Sequence, residues 1–168
     1  MLRIARAICR SCRRTHALLP SFLYARRIDL AEAILGALRM AAGGHGHRLV
    51  ASRAGVHEST ARGWLRRARR VAARQRAAFC ALALELGALP PRSPPAASSP
   101  LAALIEAIGV AHRAAKERFG AAVPACPAAF SAAASGGLLL ANTDRPFPDA
   151  PGVARVAPAS ESNRRERT

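Results

Sequence analysis

The sequence predicts an all-α protein organised around a three-helix unit whose third helix is long. Three observations carry that expectation. First, the stretch from His47 to Arg76 holds a small residue, a glycine and an apolar residue at the spacing that two crossing helices need. Counting His47 as one, Ala51 is fifth, Gly55 ninth and Val56 tenth. The fifth position lies where the helices cross and has room for little beyond a methyl group; the ninth must take the αL conformation, which glycine adopts without penalty. Second, a rotation of about 100° per residue beyond the turn gathers Ala61, Trp64, Leu65, Ala68, Val71, Ala72 and Phe79 on one side. Arg62, Arg66, Arg69 and Arg76 fall on the other, flanked by Arg67, Arg70 and Arg74. Third, hydrophobic residues make up 51% of the chain and aromatics only 4%, with much of the apolar content alanine. Such a composition forms helices readily but a large tight core poorly, so modest stability and a loosely packed C-terminal half are expected.

Residues 1–28 form a basic arm and a connector. Arg3, Arg6, Arg10, Arg13 and Arg14 surround a C-x2-C pair, Cys9 and Cys12, with His16 four residues on. Two thiolates on one tight turn are half of a tetrahedral zinc site, and His16 would be a third ligand. No second pair follows at ribbon spacing. Three readings therefore stand: a partial zinc site at Cys9, Cys12 and His16, a pair of thiols that hold no metal, or a start that lies inside a longer reading frame carrying the missing pair. The connector Ala17–Arg27 is apolar and broken at Pro20; Leu18, Leu19, Phe22 and Leu23 dock it, and Arg26 and Arg27 extend the basic surface. The four cysteines do not resemble a disulfide framework, and Met1–Arg14 lacks the apolar core of a secretory signal, so a reducing cytoplasm is expected.

The three-helix unit is expected over 29–89. Asp29 is the N-cap of its first helix, with Glu32 three residues later completing a capping pattern. Leu30, Ile34, Ala37, Leu38 and Ala41 form the apolar stripe, and Gly43-Gly44 end the helix. His45 and His47 then sit in a mobile loop, as caps or in solvent. The long helix starts near His57 or Glu58, with His57 as its N-cap, and runs on through Leu89 to Pro90-Pro91. Residues 90–100, PPRSPPAASSP, are a proline-rich linker and domain boundary.

Residues 101–149 form a small alanine-rich helical region. Leu101–Phe119 places Leu101, Leu104, Ile105, Ile108 and Ala111 against Glu106, His112, Arg113, Lys116, Glu117 and Arg118. Pro124–Ser135 is a short helix closed by Gly136-Gly137, and a turn segment follows. This region would pair with a second copy or with another protein. The tail 150–168 is expected to be disordered. Phe119–Thr143 is uncharged and long enough to span a bilayer, but Pro124, Pro127, Gly136 and Gly137 interrupt it, so no membrane helix is expected.

The chain carries 26 Lys+Arg against 10 Asp+Glu, a formal charge of +16, and Lys116 is the only lysine. Seventeen basic and three acidic side chains lie in 1–80, against nine and seven in 81–168. A general drift toward arginine would spread more evenly, so the asymmetry points to an N-terminal half that binds a polyanion. No acid lies between Glu58 and Glu85, so the arginines there have no i,i+4 partners to relieve their repulsion. Phosphate accounts for such a stripe better than a solvated face does. With the long helix in a major groove, Glu58, Ser59, Arg62, Gly63 and Arg66 face the bases, and Arg67, Arg69 and Arg70 line the same basic side. Arg62 or Arg66 suits a guanine edge, and Glu58 suits cytosine N4.

An enzyme is not expected. Two-metal phosphoryl transfer needs three carboxylates on a folded core. Here Asp144 and Asp149 lie in a Pro-rich loop, Glu161 and Glu166 in the tail, and Glu106 and Glu117 on an exposed helix face. No P-loop and no nucleophile elbow is present. An RNA module would stack bases on aromatics, and Tyr24 and Trp64 stand alone. Double-stranded DNA is thus the expected partner, in a cytoplasmic, nucleoid-associated setting.

With the run Cys9-x2-Cys12, Thr15 to Phe22 and the Val50–Arg67 unit, the chain resembles an uncharacterised group of bacterial proteins, across most of its length up to about Pro148. These look like transposase-type DNA-binding heads: a zinc ribbon, a homeodomain-like helix-turn-helix and an alanine-rich C-terminal region. The resemblance implies zinc as the one cofactor to consider and a role linked to mobile DNA or to regulation. Two departures are visible. The ribbon of that group carries a further Cys pair upstream, and Ala61 stands where the motif usually has a larger aliphatic residue.

Overall fold

A computed structural model describes residues 5–11, 13–18, 20, 22–25, 27, 29–89 and 99–141, with the backbone alone for 16–18. Within these, the chain is largely helical, as its composition and periodicity predict. A departure is an antiparallel hairpin at the N-terminus, strand β1 Ala5–Ile8 paired with β2 Thr15–Leu18 in the register Ala5 opposite Leu18. Its loop closes through hydrogen bonds from Cys9 N–H to the Arg14 carbonyl and from Arg13 N–H to the Cys9 carbonyl, both 2.9 Å. All four β1 residues are exposed, so that strand stands clear of the apolar core.

Five α-helices follow: α1 Ala31–Ala42, α2 His47–Ala54, α3 Glu58–Glu85, α4 Pro100–Phe119 and α5 Pro127–Ala134, with a 3-10 turn at Gly120–Ala122. Helix α1 buries Ala31, Ile34, Leu35, Ala37, Leu38 and Ala41. Two sequence expectations need correction here. Asp29 does not cap α1; Leu30 is the N-cap residue and gives no side-chain bond, while the Ala31 N–H donates to the Phe22 carbonyl at 2.8 Å. A backbone carbonyl of the connector thus satisfies an orphan donor of the first turn. Leu30 is 53% exposed and does not belong to the apolar stripe; Leu35 takes that place.

The expected loop at His45–His47 is shorter than predicted, because His47 is the first residue of α2. Gly55 closes α2 at φ 65° and ψ 30°, and the Val56 N–H reaches back to the Ala51 carbonyl at 3.1 Å. The chain is therefore broken between α2 and α3 where the glycine spacing requires a turn. Val50 and Ala51 are buried on α2, and Ala61, Trp64, Leu65, Ala68, Val71, Ala72 and Phe79 on α3. Helix α3 ends at Glu85, before the position the prolines suggested. Gly87 at φ 86° lets the Ala88 N–H bond the Ala83 carbonyl at 2.9 Å, which closes the last turn.

Helix α4 is capped by Ser99, whose Oγ accepts from the Ala102 N–H at 3.2 Å, with Pro100 in the first turn. Among the described residues it makes the most extensive packing, against α3, and it also touches α1. Helix α5 begins three residues later than expected, at Pro127, and packs on α1 and α4. His112 needs a further correction. The sequence puts it on the polar side of α4, yet it is only 6% exposed, because Pro124 and Phe130 fold over it: Nε2 lies 2.9 Å from the Pro124 carbonyl and its ring centroid 5.2 Å from that of Phe130.

Residues on both sides of 90–98, a stretch outside the described residues, share one apolar cluster. It runs from Ile34, Leu38 and Trp64 through Phe79 to Leu104, Ile108, Phe130 and Leu139. A buried polar tie crosses it. The Ser131 hydroxyl donates to the Ala128 carbonyl at 2.8 Å, so the Tyr24 hydroxyl, 2.6 Å away, is the donor to Ser131 Oγ. Three further bonds fasten the stretch after α5 to the rest: Ala25 N–H to the Gly137 carbonyl at 2.8 Å, Gln75 Nε2 to the Leu138 carbonyl at 3.5 Å, and the Arg74 guanidinium to the Ala141 carbonyl at 3.4 Å. No helix of the described residues is long and apolar enough to cross a membrane.

Candidate nucleic-acid interface

The first half of α3 carries the candidate site. Its start is fixed by His57, whose Nδ1 accepts from the Ser59 N–H at 3.2 Å and lies 2.8 Å from the Ser59 hydroxyl oxygen. The imidazole therefore acts as the N-cap that the sequence assigned to it, and the Ser59 hydroxyl is engaged there. Glu58 is exposed and lies 3.8 Å from Arg48 Nε and 3.9 Å from His47 Nε2. An exposed pair of this kind is worth about 0–1 kcal/mol, so a ligand contact can displace it.

Arg62, Arg66, Arg69 and Arg70 are exposed, while Arg67 is half-buried. Arg62 is not loose: one of its terminal nitrogens is 3.0 Å from His47 Nε2, across the turn. Arg67 folds back along the helix. A Cβ placed on Gly63 would meet its guanidinium nitrogen at 3.0 Å, so the glycine leaves the space that this side chain uses. Among the described residues, none of Arg62, Arg66, Arg67, Arg69 and Arg70 pairs with a carboxylate, and Glu58 at the head of the row pairs with Arg48 and His47. Like charges in a row, held by a rigid helix without internal anions, make a positive field suited to an extended polyanion.

The predicted reading set Glu58, Ser59, Arg62, Gly63 and Arg66 thus lies together on the first turns of α3, with Arg69 and Arg70 beyond it. Two contributors were not singled out as site residues by the sequence. Arg48, exposed at the start of α2, adds a charge beside Glu58, and His47 holds Arg62. Both act across 10 to 15 positions of sequence, where no helical periodicity links them; only the expectation that two helix starts meet across a tight turn would have found them. Arg27, from the connector, lies close enough to Arg67 to feel it. Partial burial first, and then the Arg67 charge, lower its basicity, with Asp29 opposing.

The metal expectation at Cys9, Cys12 and His16 falls largely outside the described residues, since neither Cys12 nor the His16 side chain is among them. Among those described, no three His, Cys, Asp or Glu side chains gather as a metal site would require. Comparison of the chain with models of protein families, with characterised proteins and with solved structures found no match.

Proposed function

We propose that this chain binds double-stranded DNA through α2, the Gly55 turn and α3, acting as a homeodomain-like helix-turn-helix with the start of α3 in the major groove. The observation that carries the reading is the row of carboxylate-free arginines on the exposed face of a helix whose first turn abuts a tight αL turn. Arg62 and Arg66 face guanine edges, Glu58 faces cytosine, and Ser59 and Gly63 border the groove. Arg67, Arg69 and Arg70 contact phosphates, with Arg48 and Arg27 widening the basic surface. The protein does this as a transposon-associated or regulatory factor. An equivalent role is the DNA-binding subunit of a recombinase whose chemistry lies on another chain.

Selection of bound duplexes from a random pool tests the reading, followed by salt titration on the selected and a random duplex. A specific binder keeps its affinity ratio as salt rises, whereas a charge-only binder loses affinity for both together. Arg62→Ala is expected to cost roughly 1–3 kcal/mol at the selected site and to relax preference at one base pair. A pool that returns no enriched sequence would reduce the protein to a non-specific nucleic-acid binder.

A further inference from the structure

Among the described residues, Arg62 is the one arginine of the exposed row hydrogen-bonded to another side chain, and its partner sits on a different helix. Arginine has no acceptor atom, so the 3.0 Å contact is a bond from the Arg62 guanidinium to His47 Nε2. That bond requires a neutral imidazole with its proton on Nδ1. Two charged groups on α3 face the ring, Glu58 and Arg62, and Arg48 on its own helix reaches the same Glu58 carboxylate. No charged side chain of α1 is paired with it among the described residues.

We propose that His47 is a positioning residue for Arg62: accepting from the guanidinium, it fixes that group across the Gly55 turn in the pose that meets a guanine edge. The proposal rests on the DNA-binding reading and goes beyond it by naming what orients the reader. A long side chain held before binding loses less rotamer freedom on docking, so the correct base is favoured over its competitors. The same bond makes base preference responsive to acidity. A proton on Nε2 removes the acceptor, places two like charges against each other and turns the ring toward the Glu58 carboxylate, 3.9 Å away. Arg62 is then released.

The test uses the full chain and its selected duplex beside a random one. His47→Ala is expected to lower the affinity ratio by about fivefold to tenfold, the size of one ordinary hydrogen bond. His47→Gln, whose amide oxygen can still accept, restores most of the ratio. His47→Ala adds nothing in an Arg62→Ala background. As the medium is made more acidic, the wild-type ratio falls while that of His47→Gln stays level. This separates His47 from His57, which both proteins retain. A second measurement needs no DNA: the imidazole ¹⁵N resonances of His47 in the unbound protein shift on Arg62→Ala. Independent effects of the two substitutions, a level wild-type pH profile, or unmoved ¹⁵N resonances would each overturn the proposal. A chain that binds no duplex while its ¹⁵N resonances do shift would instead overturn the DNA-binding reading, and with it the role of the bond, though not the bond itself.

Discussion

Gly55 and Gly63 lie eight residues apart and respond to a methyl group in opposite directions. Gly55 holds φ 65°, and no heavy atom lies within 4 Å of a Cβ built there. The obstacle to substitution is therefore backbone strain and not space. Gly55→Ala is expected to lower stability by about 1–2 kcal/mol, and Gly55→Asn by less, since Asn tolerates αL; denaturant midpoints measure both. Gly63 has ordinary helical geometry, and its only close neighbour is the flexible end of Arg67 at 3.0 Å. Gly63→Ala should raise stability by about 0.5–1 kcal/mol through helix propensity. It should also weaken duplex binding by displacing the Arg67 guanidinium and crowding the groove face. Thermal melts and binding isotherms on the same protein read the two effects with opposite sign.

Each helix is bounded by chemistry that its neighbours in sequence mostly supply. His57 caps α3 and Ser99 caps α4 with side-chain acceptors, while α1 borrows the Phe22 carbonyl. His57→Ala is expected to cost about 1 kcal/mol, near the middle of the range for lost N-caps, and to fray the turn that carries Glu58, Ser59 and Arg62. Amide hydrogen exchange at Ser59 to Ala61 would register that fraying. At its far end α3 is finished by another helix: the Arg118 guanidinium donates to the Glu85 carbonyl at 3.1 Å. The two halves of α3 thus face different surroundings. The first turns its arginines outward, and the second buries Phe79 and Ala83 in the core, with the Phe79 ring centroid 6.3 Å from that of Phe130 in α5.

For the molecule as a whole, α4 and α5 complete the core that supports the basic face. A chain ending at Leu89 would expose the surfaces of α1 and α3 that now meet the C-terminal helices, Phe79 among them. It is expected to lose cooperative thermal unfolding, and with it duplex binding at 37 °C. The Tyr24–Ser131 bond joins the connector to α5 inside this core, and burial, as the largest influence, raises the Tyr24 hydroxyl well above its ordinary value. The folded state then holds this proton more tightly than the unfolded state does. The contribution is complete below the ordinary tyrosine value near about 10 and declines as alkalinity rises past it. Tyr24→Phe should cost about 1 kcal/mol at neutral pH and flatten the alkaline decline in melting temperature.

Much of this architecture was legible before any coordinates. The two faces of α3, the αL turn at Gly55, the His57 cap and the start of α4 follow from 3.6-residue periodicity, from one residue's conformational freedom and from local capping. All of these are carried by residues a few positions apart. What stayed hidden depends on contacts between distant segments. Examples are the Phe22 carbonyl that replaces Asp29 at the head of α1, the burial of His112 under Pro124 and Phe130, and the bond from Arg62 to His47. Periodicity states which side of a helix must leave water, but not which surface will cover it. In this protein the sequence alone determined an arginine-lined helix behind a glycine turn. Only the packing of α4 and α5 onto α1 and α3 decided how that helix is supported, because burial of an apolar face is satisfied by whichever partner the folded chain brings to it.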